Sequence, residues 1–428
     1  MARLWHSGAE LNSATAGVEF FTVSGSPTID STIKRTGTYS LKIGSLTSGA
    51  AMGVLHKFIS STNAGPFWMR GYLYVVTRPS ASNHIMSFNS SSGTAGTADR
   101  GKITLESDGT LILRDSAGNA IGSPSSVLSL NTWYCVELKM DRTAASGSRI
   151  TEGRLAPDDG TAPSVFATSS TQTDANNLAC SWGGNFDLEA QTQGEWYFDD
   201  MCVNDSTGTQ QNSYPGQGKI LALRPNAAGD ANAWLKTAGG AGDANNYQEV
   251  DDVTPDDATS YIQSTTADAE DMYNVGASGI GASDTVNCVG VYSRHRNNTA
   301  DGTLAFKLQI EKTTGGTITQ SAALIPNTTT WRMHYNTEPR NYQLMAHLDP
   351  DGAAWTQSTL DSMQIGVKIT TDGTNSINIT SLIAMVDYTP TTATSQIKKL
   401  SSIVQASLKK VSGIAIASVK KVSGVANT

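Results

Sequence analysis

Apolar and polar residues alternate in short runs along most of this chain, and the runs are rich in β-branched and aromatic side chains, the pattern of half-buried strands. In the first half they fall at 18–23, 39–43, 67–76, 84–88, 102–105, 110–114, 133–140 and 196–203, separated by Gly, Asn and Asp. Asp108-Gly109, between Ile103-Thr104-Leu105 and Leu111-Ile112-Leu113, predicts a tight hairpin, because Gly accepts the positive φ that such turns require. Residues 142–174 show little periodicity and read as a long excursion, a ligand loop or a merely permissive one. Residues 206–218 contain no apolar run and mark the best boundary in the chain. Beyond it, strands are predicted at 220–223, 285–292, 303–311, 330–335, 363–369 and 379–388, while the Gly-, Asn- and Asp-rich stretch 239–257 reads as surface. The pattern gives an all-β fold of two tandem β-sandwich domains, 1–205 and 219–390, joined by a linker at 206–218 and followed by a tail at 391–428.

The two halves echo each other. Leu111-Ile112-Leu113 leads through Gly118 to Trp133, and Leu308-Gln309-Ile310 leads through Gly316 to Trp331; each Gly-to-Trp interval is 15 residues and each Trp follows a Thr. A shared two-sheet architecture would account for this, with each Trp filling the core of its own domain; chance in a low-information composition is the alternative.

The tail repeats every 11 residues, as Lys398-Lys399-Leu400-Ser401, Lys409-Lys410-Val411-Ser412-Gly413 and Lys420-Lys421-Val422-Ser423-Gly424. Its apolar positions follow a 3-4-4 spacing that would suit a hendecad helix. Gly413 and Gly424 each oppose a helix by about 1 kcal/mol, and Ile and Val are inferior helix formers, so short β segments turned at Ser-Gly are preferred. Three such units bury little alone. Leu408, Val411, Ile414, Val419, Val422 and Val425 are therefore the expected assembly residues, packing on a partner or on other copies in a homo-oligomer; a flexible basic tail is the plain alternative.

Charge sharpens this division. The last 34 residues hold six lysines and no acid, leaving 24 basic and 38 acidic side chains, a net −14, on the rest. An acidic body repels phosphate backbones, which argues against a nucleic-acid partner. No run of 18 apolar residues and no secretory h-region occurs, so neither membrane insertion nor a classical export signal is expected. Cys135, Cys180, Cys202 and Cys288 sit among apolar residues without a CxxC pair; they read as buried free thiols, or with one disulfide among the first three.

Candidate chemistry is sparse. The six histidines form no ligand pattern, and no nucleophile-elbow, phosphate-loop or dinucleotide motif occurs. Asp187 and Glu189, at i,i+2 on a strand, would share one face as glycosidase carboxylates do, but without a third acid in phase catalysis is not expected. Asp199, Asp200 and Asp205 could supply hard oxygens to a structural calcium, the one cofactor considered, or be ordinary edge carboxylates. Trp182, in Ser-Trp-Gly-Gly, and Trp234 and Trp355, outside obvious strands, are the candidates for saccharide stacking; packing under a loop is their commoner use.

Residues 17–43 with Gly37-Thr38-Tyr39-Ser40-Leu41-Lys42-Ile43, Asn131-Thr132-Trp133-Tyr134 and Gly194-Glu195-Trp196-Tyr197-Phe198-Asp199-Asp200-Met201 together resemble the concanavalin-like or laminin-G-like jelly-roll domains of bacteriophage virion proteins. Lys219–Asn226 through Tyr261, and the Lys-Lys-Val-Ser-Gly repeats, resemble further segments of such proteins. The resemblance implies jelly-roll-like sandwiches in a noncatalytic virion protein that decorates or builds a capsid or tail appendage, with other virion proteins as partners and the virion as its location. Two alternatives stand beside it: a tail-fibre-like adhesin binding host surface glycans, and a secreted glycoside hydrolase. Enzymatic jelly rolls of the broader family carry a Glu-x-Asp-x-Glu strand; here Asn185 precedes Asp187 and Glu189, so hydrolysis is not implied.

Overall fold

The structure, a computed structural model, describes residues 2–44, 53–57, 65–90, 99–174, 179–184, 194–237, 243–299, 302–326, 328–333, 343–391 and six dipeptides of the tail. Residues 1–389 form one compact unit and 390–428 a second.

The first unit is built from four antiparallel sheets. Sheet I runs, in spatial order, Ser164–Gln172, Arg149–Pro157, Trp133–Asp141, Phe67–Thr77, Glu195–Asp205, Ser40–Ile43 and Thr28–Asp30, with Arg3–Ser7 also paired to Glu195–Asp205. Sheet II runs Ala120–Ile121, Leu111–Arg114, Asp99–Leu105, Asn83–Asn89, Ala179–Gly183, Gly53–Lys57 and Thr22–Ser24. Their facing side chains, among them Met69, Leu73, Val136, Leu138, Trp196 and Phe198 against Ile103, Leu105, Leu111, Leu113 and Trp182, make one buried cluster. Sheet III runs Leu235–Lys236, Ile262–Ser264, Ile377–Thr389, Thr285–Asn297 and Gln343–Ala346, with Lys219–Leu223 also on Ile377–Thr389. Sheet IV runs Pro225–Asn232, Glu270–Val275, Gln364–Ile369, Phe306–Glu311 and Ile318–Gln320. Val289, Val291, Ile379 and Leu382 of sheet III meet Leu308, Ile310, Ile365 and Val367 of sheet IV in a second cluster. The all-β, sandwich-like expectation thus holds at the level of architecture.

The hairpin predicted at Asp108-Gly109 is present, with Lys102↔Arg114 and Leu105↔Leu111 in register and Gly109 at φ +89°. The stretch 142–174 is corrected. It forms a second hairpin, Arg149–Pro157 with Ser164–Gln172, on the edge of sheet I. Edge strands bury few side chains; here Ala167 enters the core with Leu155 and Phe166 packed against it, so no apolar alternation marks the sequence. The strand expected at 330–335 reduces, over its described part, to a single bridge between Arg332 and His295.

The internal echo has a structural counterpart. Leu111 and Leu308 each donate their N–H to a serine hydroxyl, Ser125 at 2.8 Å and Ser321 at 3.0 Å, and each accepts that serine's N–H at 2.9 Å. The tryptophans do not fill the cores, however. Trp133 lies on the outer face of sheet I against Tyr74, and Trp331 lies under Arg296, whose guanidinium sits 4.5 Å from its ring.

The two sandwiches abut through the outer face of sheet III. Its alternation sends Cys288, Tyr292, Ile383 and Met385 away from their own core and into the cluster of the first sandwich. Arg3–Ser7 is buried along its whole length, with His6 bonded to Met385 O at 2.9 Å. Burial lowers the His6 pKa to about 3, which keeps the imidazole neutral at physiological pH. Residues 214–218 lie on the outer face of sheet I. The Tyr214 hydroxyl donates to Glu152 at 2.6 Å, Gly216 N to Glu137 at 2.7 Å, and Gly218 N to the Tyr72 hydroxyl at 3.0 Å.

In the second unit, three two-residue hairpins recur at the 11-residue period: Lys399–Leu400 with Ile403–Val404, Lys410–Val411 with Ile414–Ala415, and Lys421–Val422 with Val425–Ala426. Val411, Ile414, Val422 and Val425 therefore lie in strands, whereas Leu408 and Val419 lie outside the described residues.

Candidate functional site

Alternation puts every second residue of sheet I on its outer face, and the register stacks these residues into transverse rows. Lys139, Trp68, Asn204 and Arg3 form one row, and Glu137, Arg70 and Cys202 the next. Cys135, Tyr72 and Asp199 form a third; Trp133, Tyr74, Tyr197 and Lys42 form the fourth. The first three rows are largely covered by residues 214–218 and by the second sandwich. Arg154 stacks 3.5 Å over the Tyr214 ring, while Arg35 stacks 3.3 Å over Tyr72.

Three members of the fourth row keep solvent access: Tyr74, Trp133 and Lys42, with the adjacent Glu195, are half-buried, whereas Tyr197 lies buried beneath them. The Trp133 and Tyr74 rings lie 5.0 Å apart and tilted, and Tyr74 meets Tyr197 edge-on at 6.3 Å. At the end of this aromatic strip the Tyr197 hydroxyl donates to Glu195 at 2.6 Å, and Lys42 Nζ lies 2.8 Å from the same carboxylate oxygen. Hydrogen bonds from Lys42 and Tyr197 hold the Glu195 carboxyl below its usual range, and the bond to Glu195 raises the Lys42 ammonium. Burial, reinforced by that carboxylate, pushes the Tyr197 phenol up to about 12. At neutral pH the cluster is a phenol, a carboxylate and an ammonium, one of each kind, beside two aromatic rings. Such a constellation can stack a sugar ring, bond its hydroxyls and move a proton.

The residues expected from sequence lie elsewhere. Trp182, Trp234 and Trp355 are 0%, 0% and 4% exposed, and each indole N–H is spent inside the protein, on Arg70 O, Ala269 O and Ala346 O at 3.1–3.2 Å. A buried ring offers no face to a sugar; the glycines after Trp182 turn the chain at a strand end and leave the indole in the core. Asp199 accepts the N–H groups of Arg35, Thr36 and Asp200, at 2.8, 3.2 and 2.7 Å. Asp200 pairs with Arg35 and accepts from Thr36 Oγ1 and Ile220 N. Asp205 caps Thr207 through N–H and hydroxyl bonds of 2.9 and 2.6 Å. Their oxygens are engaged by N–H and O–H donors, and among the described residues no three His, Cys, Asp or Glu side chains gather as metal ligands. Asp187 and Glu189 lie outside the described residues. The four cysteines are buried free thiols. No helix among the described residues is long and apolar enough to cross a membrane.

Reasoning from sequence missed the fourth row. Trp133, Tyr74, Tyr197 and Lys42 are far apart in the chain, and only the register of four strands assembles them.

No family model and no curated protein matches the chain. Among solved structures it is similar to the sialidase of Trypanosoma rangeli, at 14% identity and a TM-score of 0.31 over 45% of this chain and 29% of the sialidase. The cellulose-induced protein Cip1 matches at 14% and 0.31 over 46% of this chain and 92% of Cip1. The alginate lyase AlgAT5, of polysaccharide lyase family 7, matches at 11% and 0.28 over 39% and 79%. This chain thus spans under a third of the sialidase, and at such identities neither substrate nor reaction carries over. These matches correct the expectation of a bacteriophage virion protein, and with it the noncatalytic capsid-decorating or tail-appendage role. The segments of the first sandwich that carried the virion resemblance, 17–43, 131–134 and 194–201, are strands and turns of a sandwich framework. Frameworks of this kind serve many unrelated functions.

Proposed function

We propose that this chain is a carbohydrate-active protein that engages a polysaccharide on the outer face of its first sandwich, along the row Trp133, Tyr74, Tyr197 and Lys42. One observation carries the reading: two half-exposed aromatic rings in direct cross-strand register with a hydrogen-bonded phenol, carboxylate and ammonium. The rings supply apolar faces for the C–H surface of a sugar, and the polar cluster supplies donors and acceptors for its hydroxyls. Retention on native gels cast with neutral or uronic-acid polysaccharides tests it. Wild-type protein is retarded by at least one polymer, and Trp133→Ala abolishes the retardation; equal retardation of both proteins removes the site.

A second reading, cleavage of the bound chain at the same place, is favoured by the 2.6 Å bond between Tyr197 and Glu195. A protonated phenol against a carboxylate is an acid and a base within proton-transfer distance. New reducing ends or unsaturated products in the wild type, absent in Tyr197→Phe, support it. Retention without product leaves binding as the activity.

A further inference from the structure

Strand alternation turns Ile377 and Ile379 into the second core and leaves Asn378 on the outer face of sheet III. There Asn378 stands in register with Gln263 on one side and Arg296 on the other. The bridge between His295 and Arg332 adds Trp331 to this row, beside Arg296. The Arg296 guanidinium lies 4.5 Å from the indole ring and 5.9 Å from the ring of Tyr261, and the two rings are themselves 5.8 Å apart. Gln263, Asn378, Arg296 and Trp331 thus form one line with no acid in it.

The N–H donors of this line are left over. Trp331 is 8% exposed, yet its Nε1 has no acceptor, and neither has the buried Nε of Arg296. Among the described residues Arg296 makes no hydrogen bond or ion pair; its contacts are the faces of the two aromatic rings. Ser376 Oγ lies 2.7 Å from Asn378 Oδ1 and 3.4 Å from Gln263 Oε1, so both amide oxygens are occupied. The two NH2 groups remain without an acceptor among the described residues. The acids of the adjoining loop are engaged elsewhere: Asp257 pairs with Arg294, and Asp256 accepts from the Ser260 hydroxyl at 3.0 Å. A buried N–H without an acceptor is costly, and a guanidinium without a counter-charge more so, unless a ligand supplies the missing oxygens.

We propose that this row binds the carboxylate of an acidic saccharide, at a site on the second sandwich that is independent of the aromatic row on the first. A guanidinium presents a planar fork that meets a carboxylate with two parallel bonds, and stacking on Trp331 and Tyr261 holds the fork in place before the ligand arrives. The row holds a single positive charge, which balances a monoanionic carboxylate rather than the two charges of a phosphate monoester. The NH2 groups of Gln263 and Asn378 suit the hydroxyl and ring oxygens that flank a sugar carboxylate, all of which accept hydrogen bonds. Arg296, Gln263 and Tyr261 are part-exposed and give the ligand access.

The test titrates the full chain by calorimetry with sodium glucuronate, and with glucose, acetate and inorganic phosphate for comparison. Glucuronate should bind saturably with a dissociation constant of roughly 1 mM, the value that ordinary ligand efficiency gives for a monosaccharide, and glucose should not bind over the same range. Arg296→Gln should weaken glucuronate binding at least tenfold; the side chain makes no hydrogen bond within the described protein, so its replacement leaves the fold intact. Trp331→Phe keeps a ring and removes the N–H, and should weaken binding by about threefold to tenfold. Absence of saturable glucuronate binding up to about 20 mM, well above the expected constant, overturns the proposal. So does wild-type affinity in Arg296→Gln, which would place the ligand elsewhere. Acetate or phosphate binding as tightly as glucuronate would make the row a general anion site and overturn its assignment to a saccharide.

Discussion

Arg70, from the central strand of sheet I, and Asp387, near the end of Ile377–Thr389 in sheet III, form a fully buried ion pair at 2.9 Å. Arg3 completes it from the first strand, at 2.7 Å from the other oxygen of the same carboxylate. One aspartate of the second sandwich therefore bridges two guanidinium groups of the first, in a layer closed to water.

Removing that aspartate leaves two buried cations without a counter-charge. Asp387→Ala should cost about 3–5 kcal/mol, the usual penalty for breaking a buried pair from one side. Guanidinium-chloride unfolding followed by tryptophan fluorescence measures it. Because the interface also joins Tyr292, Ile383 and Met385 to the first core, wild-type protein should unfold both sandwiches in a single transition. Two resolved transitions in the wild type would show that the pair does not couple them.

Stability should also depend on pH in two separate windows. Glu137 is 1% exposed and accepts the Gly216 N–H, and Glu10, 3% exposed, accepts from Thr38; burial pushes each carboxyl up to about 7. A folded pKa above the unfolded value means that the folded chain binds the proton more tightly. Stability therefore falls as pH rises from about 4.5 to 7 and levels off above, by on the order of 3 kcal/mol per group. Asp387 acts with the opposite sign. Its two arginines hold it well below the usual carboxylate range, so its contribution is full above about pH 4 and is lost only as the solution becomes strongly acid. Glu137→Gln should flatten the upper window, raising Tm at pH 8 but not at pH 5; an unchanged pH profile of Tm would count against the assignment.

Most strands were legible because one face of each meets a core: Phe67–Thr77, Trp133–Asp141, Gln364–Ile369 and Ile377–Thr389 all show it. Arg3–Ser7 was not legible. Both its faces are covered, one of them by the second sandwich, so Arg3 and His6 interrupt what would otherwise read as an apolar strand. The hairpin over 149–172 was hidden for the opposite reason, an edge position that buries only a few scattered side chains such as Ala156 and Ala167. For the candidate site, residue type misled. A tryptophan beside glycines reads as exposed, yet Trp182 is core, whereas Trp133, at the head of a clear strand, stands half-exposed because strand alternation turns it outward.

The buried tryptophans give a direct check of that distinction. Trp182 packs 5.2 Å from Trp5, and its Nε1 lies 2.8 Å from where a Cβ on Gly71 would stand. Trp182→Ala should cost about 3–5 kcal/mol through the cavity it leaves, and Gly71→Ala about 1–3 kcal/mol through overpacking. Neither should change polysaccharide retention at a temperature where the variants remain folded. A specific loss of retention in folded Trp182→Ala would return that residue to the site.

The outer row calls for the reverse behaviour. Trp133 and Tyr74 bury only part of their surface, so Trp133→Ala and Tyr74→Ala should lower stability by no more than about 1–2 kcal/mol. If the rings form the stacking platform, each loss should weaken polysaccharide binding by about 2 kcal/mol, roughly thirtyfold. Tyr197→Phe separates binding from chemistry. It removes the 2.6 Å donor to Glu195 and keeps the ring, so affinity should change little while any cleavage stops. Glu195→Gln should stop cleavage too and, by removing the charge that raises the phenol, bring the Tyr197 titration down from about 12. Ultraviolet difference titration of the phenolate reads that shift independently of any substrate. Thirtyfold weaker binding in Tyr197→Phe would make the phenol a binding group rather than a proton carrier, and an unmoved titration in Glu195→Gln would break the electrostatic link between the two residues.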